Sequence, residues 1–95
     1  MPTYVLLSNV TDEGAKTIKK NPERIKEVNQ EIQALGAKVV AQYAVLGPYD
    51  FVSIVEAPDN NTIGRVSAEL ASRGSVKIMT LAAVPIDECI ASLKK

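Results

Sequence analysis

Ninety-five residues with 11 Lys plus Arg against 11 Asp plus Glu carry no net charge, which removes the electrostatic footprint of a nucleic-acid or membrane-surface binder. The chain has no His, so the commonest metal ligand and the usual proton shuttle are both missing. Its one cysteine, Cys89, has no partner for an internal disulfide. A single domain over residues 1–95 is expected, and a cytoplasmic one, because the first apolar run is too short for a signal peptide and nothing approaches a membrane span.

Thr3 to Asn9 reads as a first strand with apolar groups on both faces (Tyr4 and Leu6; Val5 and Leu7). Thr11-Asp12-Glu13 reads as a helix cap followed by acidic residues that suit the positive end of the helix dipole. Pro22 breaks that helix, and Asn21 as cap with Pro22 at the first position fits a restart. Ile25, Val28, Ile32 and Leu35 then recur at helical spacing, with Lys26, Glu27, Gln30 and Glu31 outside, and Gly36 ends the helix.

Lys38–Leu46 and Phe51–Glu56 are strand-like runs joined by a Gly47-Pro48 turn, a β-hairpin pattern. If Gly47-Pro48 is a two-residue loop, Val45 faces Asp50, Tyr43 faces Val52, Ala41 faces Ile54 and Val39 faces Glu56, all on one face of the hairpin. Val40, Ala44, Leu46, Tyr49, Phe51 and Val55 fall on the other. A longer loop changes the partners. Asp59-Asn60-Asn61 offers caps for a helix with Ile63, Val66 and Leu70 inward and Gly74 as its stop. Ser75–Val84 is a fourth strand, and Pro85 opens a short helix with Ile86, Ile90 and Leu93 on one side.

The order β-α-β-β-α-β predicts an α+β, ferredoxin-like fold: a four-stranded antiparallel sheet with two helices on one face. In a lone subunit the helix-free face meets water and should alternate polar with apolar residues. These strands carry apolar residues on both faces. The open face is therefore expected to be covered, by a second copy of the sheet in a face-to-face homodimer or a higher homo-oligomer.

Leu46-Gly47-Pro48-Tyr49-Asp50, leading into Phe51-Val52-Ser53-Ile54-Val55-Glu56-Ala57-Pro58-Asp59, resembles the GYD-domain family, whose namesake is a Gly, spacer, Tyr, Asp turn before such a strand. The resemblance extends over nearly the whole chain, including the Asn21-Pro22-Glu23-Arg24 break. Pro48 stiffens the variable spacer but leaves Gly47, Tyr49 and Asp50 intact. The family is similar to the dimeric α+β-barrel superfamily, so the resemblance implies paired sheets around a central cavity.

Two groups of residues are candidates for chemistry. Asp50 can bind a polar ligand or act as a base at the cavity mouth beside Tyr49; the plainer reading is that Asp50 accepts backbone N–H bonds and fixes the turn. Ser8, Asn9, Tyr43, Glu56 and Lys77 can line a pocket with a few polar groups in apolar surroundings; the plainer reading is solvated strand ends, with Lys77 guarding an edge. Glu56, a carboxylate on an apolar strand face, calls for a partner across the dimer. The last helix either docks on a partner or packs on its own domain or its mate, and packing is favoured.

The function expected from these residues is a cofactor-free oligomeric module holding a small, partly apolar molecule near the intersubunit sheet face. It resembles the effector-binding domains of leucine-responsive-type regulators. The alternative is a small cofactor-free monooxygenase-like enzyme of the same barrel, against which the lack of His and Trp argues. An RNA-binding reading of Tyr49–Ile54 fails for want of the preceding basic residue and of net positive charge.

Overall fold

The strand-like runs assemble into one antiparallel sheet. In the computed structural model, which describes residues 1–95, the strands are β1 (Thr3–Val10), β2 (Lys38–Ala44), β3 (Phe51–Glu56) and β4 (Val76–Ala83), in the spatial order β2-β3-β1-β4. The helices are α1 (Asp12–Lys20), α2 (Arg24–Ala34), α3 (Asn60–Ala71) and α4 (Ile86–Leu93). The expected ferredoxin-like α+β fold is present, with the first crossover helix split in two.

Local chemistry sets the boundaries. Thr11 caps α1 by accepting the Gly14 N–H at 3.2 Å, and its own hydroxyl donates to the Gly74 carbonyl at 2.9 Å, so one side chain ties the helix start to the entry of β4. Asp59 caps α3 by accepting both the N–H and the hydroxyl of Thr62, each at 2.8 Å. Those two bonds hold the Asp59 carboxyl below the usual carboxylate range. Pro22 does separate two helices, but α2 begins at Arg24 behind a Glu23 cap. The Asn21 carbonyl instead accepts the Arg24 N–H in a tight turn, so the restart comes later than the Asn21–Pro22 reading expects. Gly36, at φ +103°, turns the chain out of α2 in a conformation that residues with a Cβ rarely adopt.

The core lies between the sheet and α2 and α3. Tyr4 and Leu6 from β1, Val55 from β3, Ile32 from α2, and Ile63, Val66 and Leu70 from α3 are buried together. The Tyr4 hydroxyl donates to Asn60 Oδ1 at 2.6 Å, satisfying the polar end of a buried ring at the start of α3. Arg24 and Arg73 both bond the Glu31 carboxylate, which joins α2 to the residues just beyond α3. The Arg73 hydrogen bond is the largest cause of a Glu31 pKa below the ordinary range.

The hairpin register agrees with the sequence reading near its turn and departs from it farther away. Tyr43 lies opposite Val52 and Ala41 opposite Ile54, as expected. A bulge at Val40 then places Val39 opposite Val55 and Lys38 opposite Glu56, which corrects the Val39–Glu56 pairing. Val39 therefore turns to the helix side and packs against the core. No helix is long and apolar enough to cross a membrane.

Candidate functional site

The open face of the sheet is organised in rows. Strand pairing aligns Tyr43, Val52, Leu7 and Met79 in one row, and Ala41, Ile54, Val5 and Leu81 in the next. One flanking row contains Lys38, Glu56, Thr3 and Ala83, and at the other end Asn9 pairs with Lys77 beside Asp50. The result is an apolar band with a polar rim at each end. Tyr43, Met79 and Leu81 are exposed, and no helix of the chain covers them.

The residues singled out from the sequence do not form one pocket. Tyr43 stands in the apolar band, 60% exposed. Tyr49 reaches the same face, where its hydroxyl lies 3.8 Å from Met79 Sδ, rather than the opposite face that simple alternation through the turn predicts. Glu56 and Lys77 sit at opposite ends of the sheet, and Glu56 lies opposite Lys38 of its own chain. Ser8 belongs to the other side altogether: it shares a row with Phe51 and Ile78 and lines a cavity beneath the helices.

Asp50 has a structural task. Its Oδ2 accepts the Val10 N–H at 2.9 Å, its own N–H donates to the Ser8 carbonyl at 2.9 Å, and its carbonyl accepts the Val45 N–H at 2.9 Å. One residue thereby ties the hairpin turn to the end of β1. Gly47, at φ +132°, supplies the turn conformation that brings Asp50 there. The Gly-x-Tyr-Asp motif thus fixes the upper rim of the open face.

α4 does not pack on its own domain, one of the two places expected for it. None of its residues is buried; Ile86 and Leu93 are 70% and 79% exposed, and Ile90 is also exposed. The helix follows the edge strand β4 in the chain and leaves its apolar side exposed.

Sequence reasoning missed a second feature, on the helix side. A half-open pocket of about 130 Å³ lies between α1, α2 and the sheet, lined by apolar residues such as Leu6, Val28, Ile32 and Leu70 and by nearly as many polar or small ones. One wall is a relay of polar side chains. Asn29 Nδ2 donates to Gln42 Oε1 at 2.7 Å, and Gln42 Nε2 donates to Ser53 Oγ at 3.1 Å. Asn29 Oδ1 is buried with no hydrogen-bond partner. The available signal was the hairpin register itself, which sets Gln42 opposite Ser53 on the turn side of the bulge; what no local pattern gives is that Asn29 of α2 reaches that pair.

The comparisons with known proteins agree with the fold and name a family. The GYD domain model matches residues 4–93. A Thermus thermophilus protein named glutamine synthetase and cystathionine beta-lyase binding protein is 63% identical over 95 residues, covering 99% of this chain and 100% of its own length. Among solved structures, TTHA0845, also from Thermus thermophilus, aligns with a TM-score of 0.57 at 25% identity, over 90% of this chain and 95% of its own. FFRP-DM1 aligns with a TM-score of 0.59 at 22% identity, over 88% of this chain and 100% of its own, and speaks to the fold alone. With a family model spanning nearly its full length and a relative of this similarity, the chain belongs to the GYD-domain family.

Proposed function

We propose that this protein is a non-catalytic, single-domain interaction module that self-associates through the open face of its sheet and binds metabolic enzymes, glutamine synthetase and cystathionine beta-lyase among them. The observation that carries the reading is the uncovered apolar band of Val5, Leu7, Val52, Ile54, Met79 and Leu81 between polar rims. Covering it is favourable at about 25 cal/mol per Å² of apolar surface removed from water. A second copy suits it well, because each rim carries both signs, Lys38 with Glu56 and Lys77 with Asp50, so a two-fold copy can set cation against anion. The enzyme partners come from the name of the 63% identical relative.

With the sheet face occupied by the mate, α4 is the apolar surface left to meet an enzyme. Ile86, Ile90 and Leu93 form its stripe, a helix-in-groove anchor pattern. The test is co-sedimentation of the purified chain with purified glutamine synthetase and, separately, with purified cystathionine beta-lyase, for the parent and for Ile90→Glu. The parent should co-sediment. Ile90→Glu should keep the parent's own mass and lose the enzyme. A parent that binds neither enzyme at micromolar concentration contradicts the reading, and a variant that loses self-association moves α4 to the subunit interface.

A second reading is a small, partly apolar molecule enclosed between two paired faces. It is supported by Tyr43 and Tyr49, whose rings stand at the edge of the apolar band.

A further inference from the structure

We propose that the outer edge of β4 is a second self-association surface, where the β4 strands of two chains pair antiparallel and join two four-stranded sheets into one of eight strands. This contact is separate from the open face of the sheet and does not depend on how that face is covered.

The inference begins with the direction of the backbone groups. In an antiparallel ladder, hydrogen-bonded and non-bonded residue pairs alternate. The Thr11 N–H donates to the Ser75 carbonyl at 3.0 Å, one step beyond the Val10–Val76 pair. The bonded pairs of β1 and β4 are therefore Asn9 with Lys77, Leu7 with Met79, Val5 with Leu81 and Thr3 with Ala83. The other side of β1 agrees, because the Pro2 carbonyl, of opposite parity, accepts the Ala57 N–H beside β3. Val76, Ile78, Thr80 and Ala82 thus turn their N–H and C=O groups outward, away from β1. None of these groups has a hydrogen-bond partner within the chain.

Nothing blunts this edge. Edge strands are ordinarily guarded by bulges, prolines, charges or short length. β2, at the opposite edge of the sheet, has such a device in its bulge at Val40. β4 instead runs for eight residues in unbroken register with β1, contains no proline, and carries Lys77 near its start as its one charge. None of its residues is buried, and α4 beyond it is exposed as well.

Outward backbone groups of this kind take an extended strand, and β4 itself supplies one that fits. A two-fold axis at Met79 sets Ile78 opposite Thr80 and Val76 opposite Ala82 of the second copy, which satisfies every outward N–H and C=O on both chains. Moving the axis to Ile78 or to Thr80 places Gly74 or Val84, outside the strand, opposite one of them. With the axis at Met79, Lys77 lies opposite Leu81, so no like charges face each other. The same axis runs the row of Tyr43, Val52, Leu7 and Met79 straight into its copy, so the apolar band of the open face continues across the joint. That continuity favours a second copy over a strand of another protein. Two paired strands are marginal alone, so the edge contact forms at about 100 μM, above the micromolar range of the face.

The experiment is disulfide capture in a chain carrying Cys89→Ser, which removes the native thiol, and Ile54→Lys, which weakens the open face and keeps the outcome independent of it. Across the axis, Met79 and its counterpart form a non-hydrogen-bonded pair with Cα atoms about 4.5 Å apart, within reach of a disulfide. Leu81 and its counterpart are offset along the strands by about 13 Å, which no disulfide spans. With oxidised glutathione and about 100 μM protein, Met79→Cys should crosslink at least about tenfold faster than Leu81→Cys. Adding Thr80→Pro removes an outward N–H, leaves every bond to β1 in place, and should slow the Met79→Cys reaction by at least about tenfold; Thr80→Val, which keeps the N–H, should not. If Thr80→Pro does not fold, the comparison of Met79→Cys with Leu81→Cys decides alone. Three results overturn the proposal: equal rates at the two positions; undiminished crosslinking in the folded Thr80→Pro variant; or no crosslinked species from a folded Met79→Cys chain, which leaves the edge to an extended segment of another protein.

Discussion

Gly14 and Gly64 both lie inside helices, yet alanine should act in opposite directions at the two. Helix propensity alone favours alanine over glycine by about 1 kcal/mol at either. At Gly64 a Cβ meets nothing within 4 Å, so the full gain is expected. At Gly14 the Cβ would stand 2.1 Å from the Ser75 carbonyl oxygen, a backbone atom that cannot rotate away. Relief requires α1 and the start of β4 to part by more than an ångström. That movement strains the Thr11 N–H to Ser75 bond at 3.0 Å and the Thr11 hydroxyl to Gly74 bond at 2.9 Å. Overpacking costs about 1–3 kcal/mol and each weakened bond about 1 kcal/mol, so the net loss after the propensity gain is about 3 kcal/mol. For a domain of this size each kcal/mol moves the midpoint by about 4–8 °C, so Gly14→Ala should lower Tm by at least about 12 °C and Gly64→Ala should raise it by at least about 4 °C. Thermal melts at one fixed protein concentration separate them, because self-association makes Tm concentration-dependent. A Gly14→Ala protein as stable as its parent would refute the close approach of α1 to β4.

Two further predictions concern the turn and the acid limb. Asp50→Ala should expose the Val10 N–H to hydrogen exchange and cost about 1 kcal/mol, whereas Asp50→Asn keeps an acceptor and should protect Val10 nearly as well; full protection in the alanine variant would remove Asp50 from its tying role. Glu31 and Asp59 have folded pKa values below their unfolded ones, so the stability they supply is complete above the unfolded range, near pH 4, and is lost as pH falls through the folded values. Urea midpoints should therefore hold between about pH 7 and 5 and fall below about 4, and Glu31→Gln should flatten that fall; an identical acid limb in the variant would contradict the Arg73–Glu31–Arg24 linkage.

What could be read from the residues alone was whatever local chemistry decides. Thr11 and Asp59 cap helices because of their oxygens, Pro22 interrupts one because it lacks an N–H, and Gly36 and Gly74 end helices at positive φ. The Gly-x-Tyr-Asp turn and the strand after it were legible for the same reason, and they carry the family resemblance. Decisions that rest on parity were not legible. Every residue of Lys38–Val39–Val40–Ala41 is compatible with a strand, so nothing local marks Val40 as the bulge, and Val39 was placed on the wrong face while Glu56 kept the face expected of it. Ser8 was misplaced because β1 is apolar on both faces, which leaves alternation without a reference. Asn29, Gln42 and Ser53 carry no motif or spacing that singles them out. Only folding brings together three residues from α2, β2 and β3 and leaves one amide atom without a partner.

The most direct measurement is sedimentation equilibrium of the parent chain and of Ile54→Lys, which places a charge in the middle of the apolar band. Losing one buried isoleucine costs about 2 kcal/mol per copy, so an isologous interface containing two copies should weaken by about a thousandfold. The parent is predicted to sediment at a multiple of 10.2 kDa at micromolar concentration, and Ile54→Lys as a folded species of 10.2 kDa. A parent that sediments as a single chain under those conditions, with the band of Leu7, Ile54 and Met79 left in water, contradicts the account.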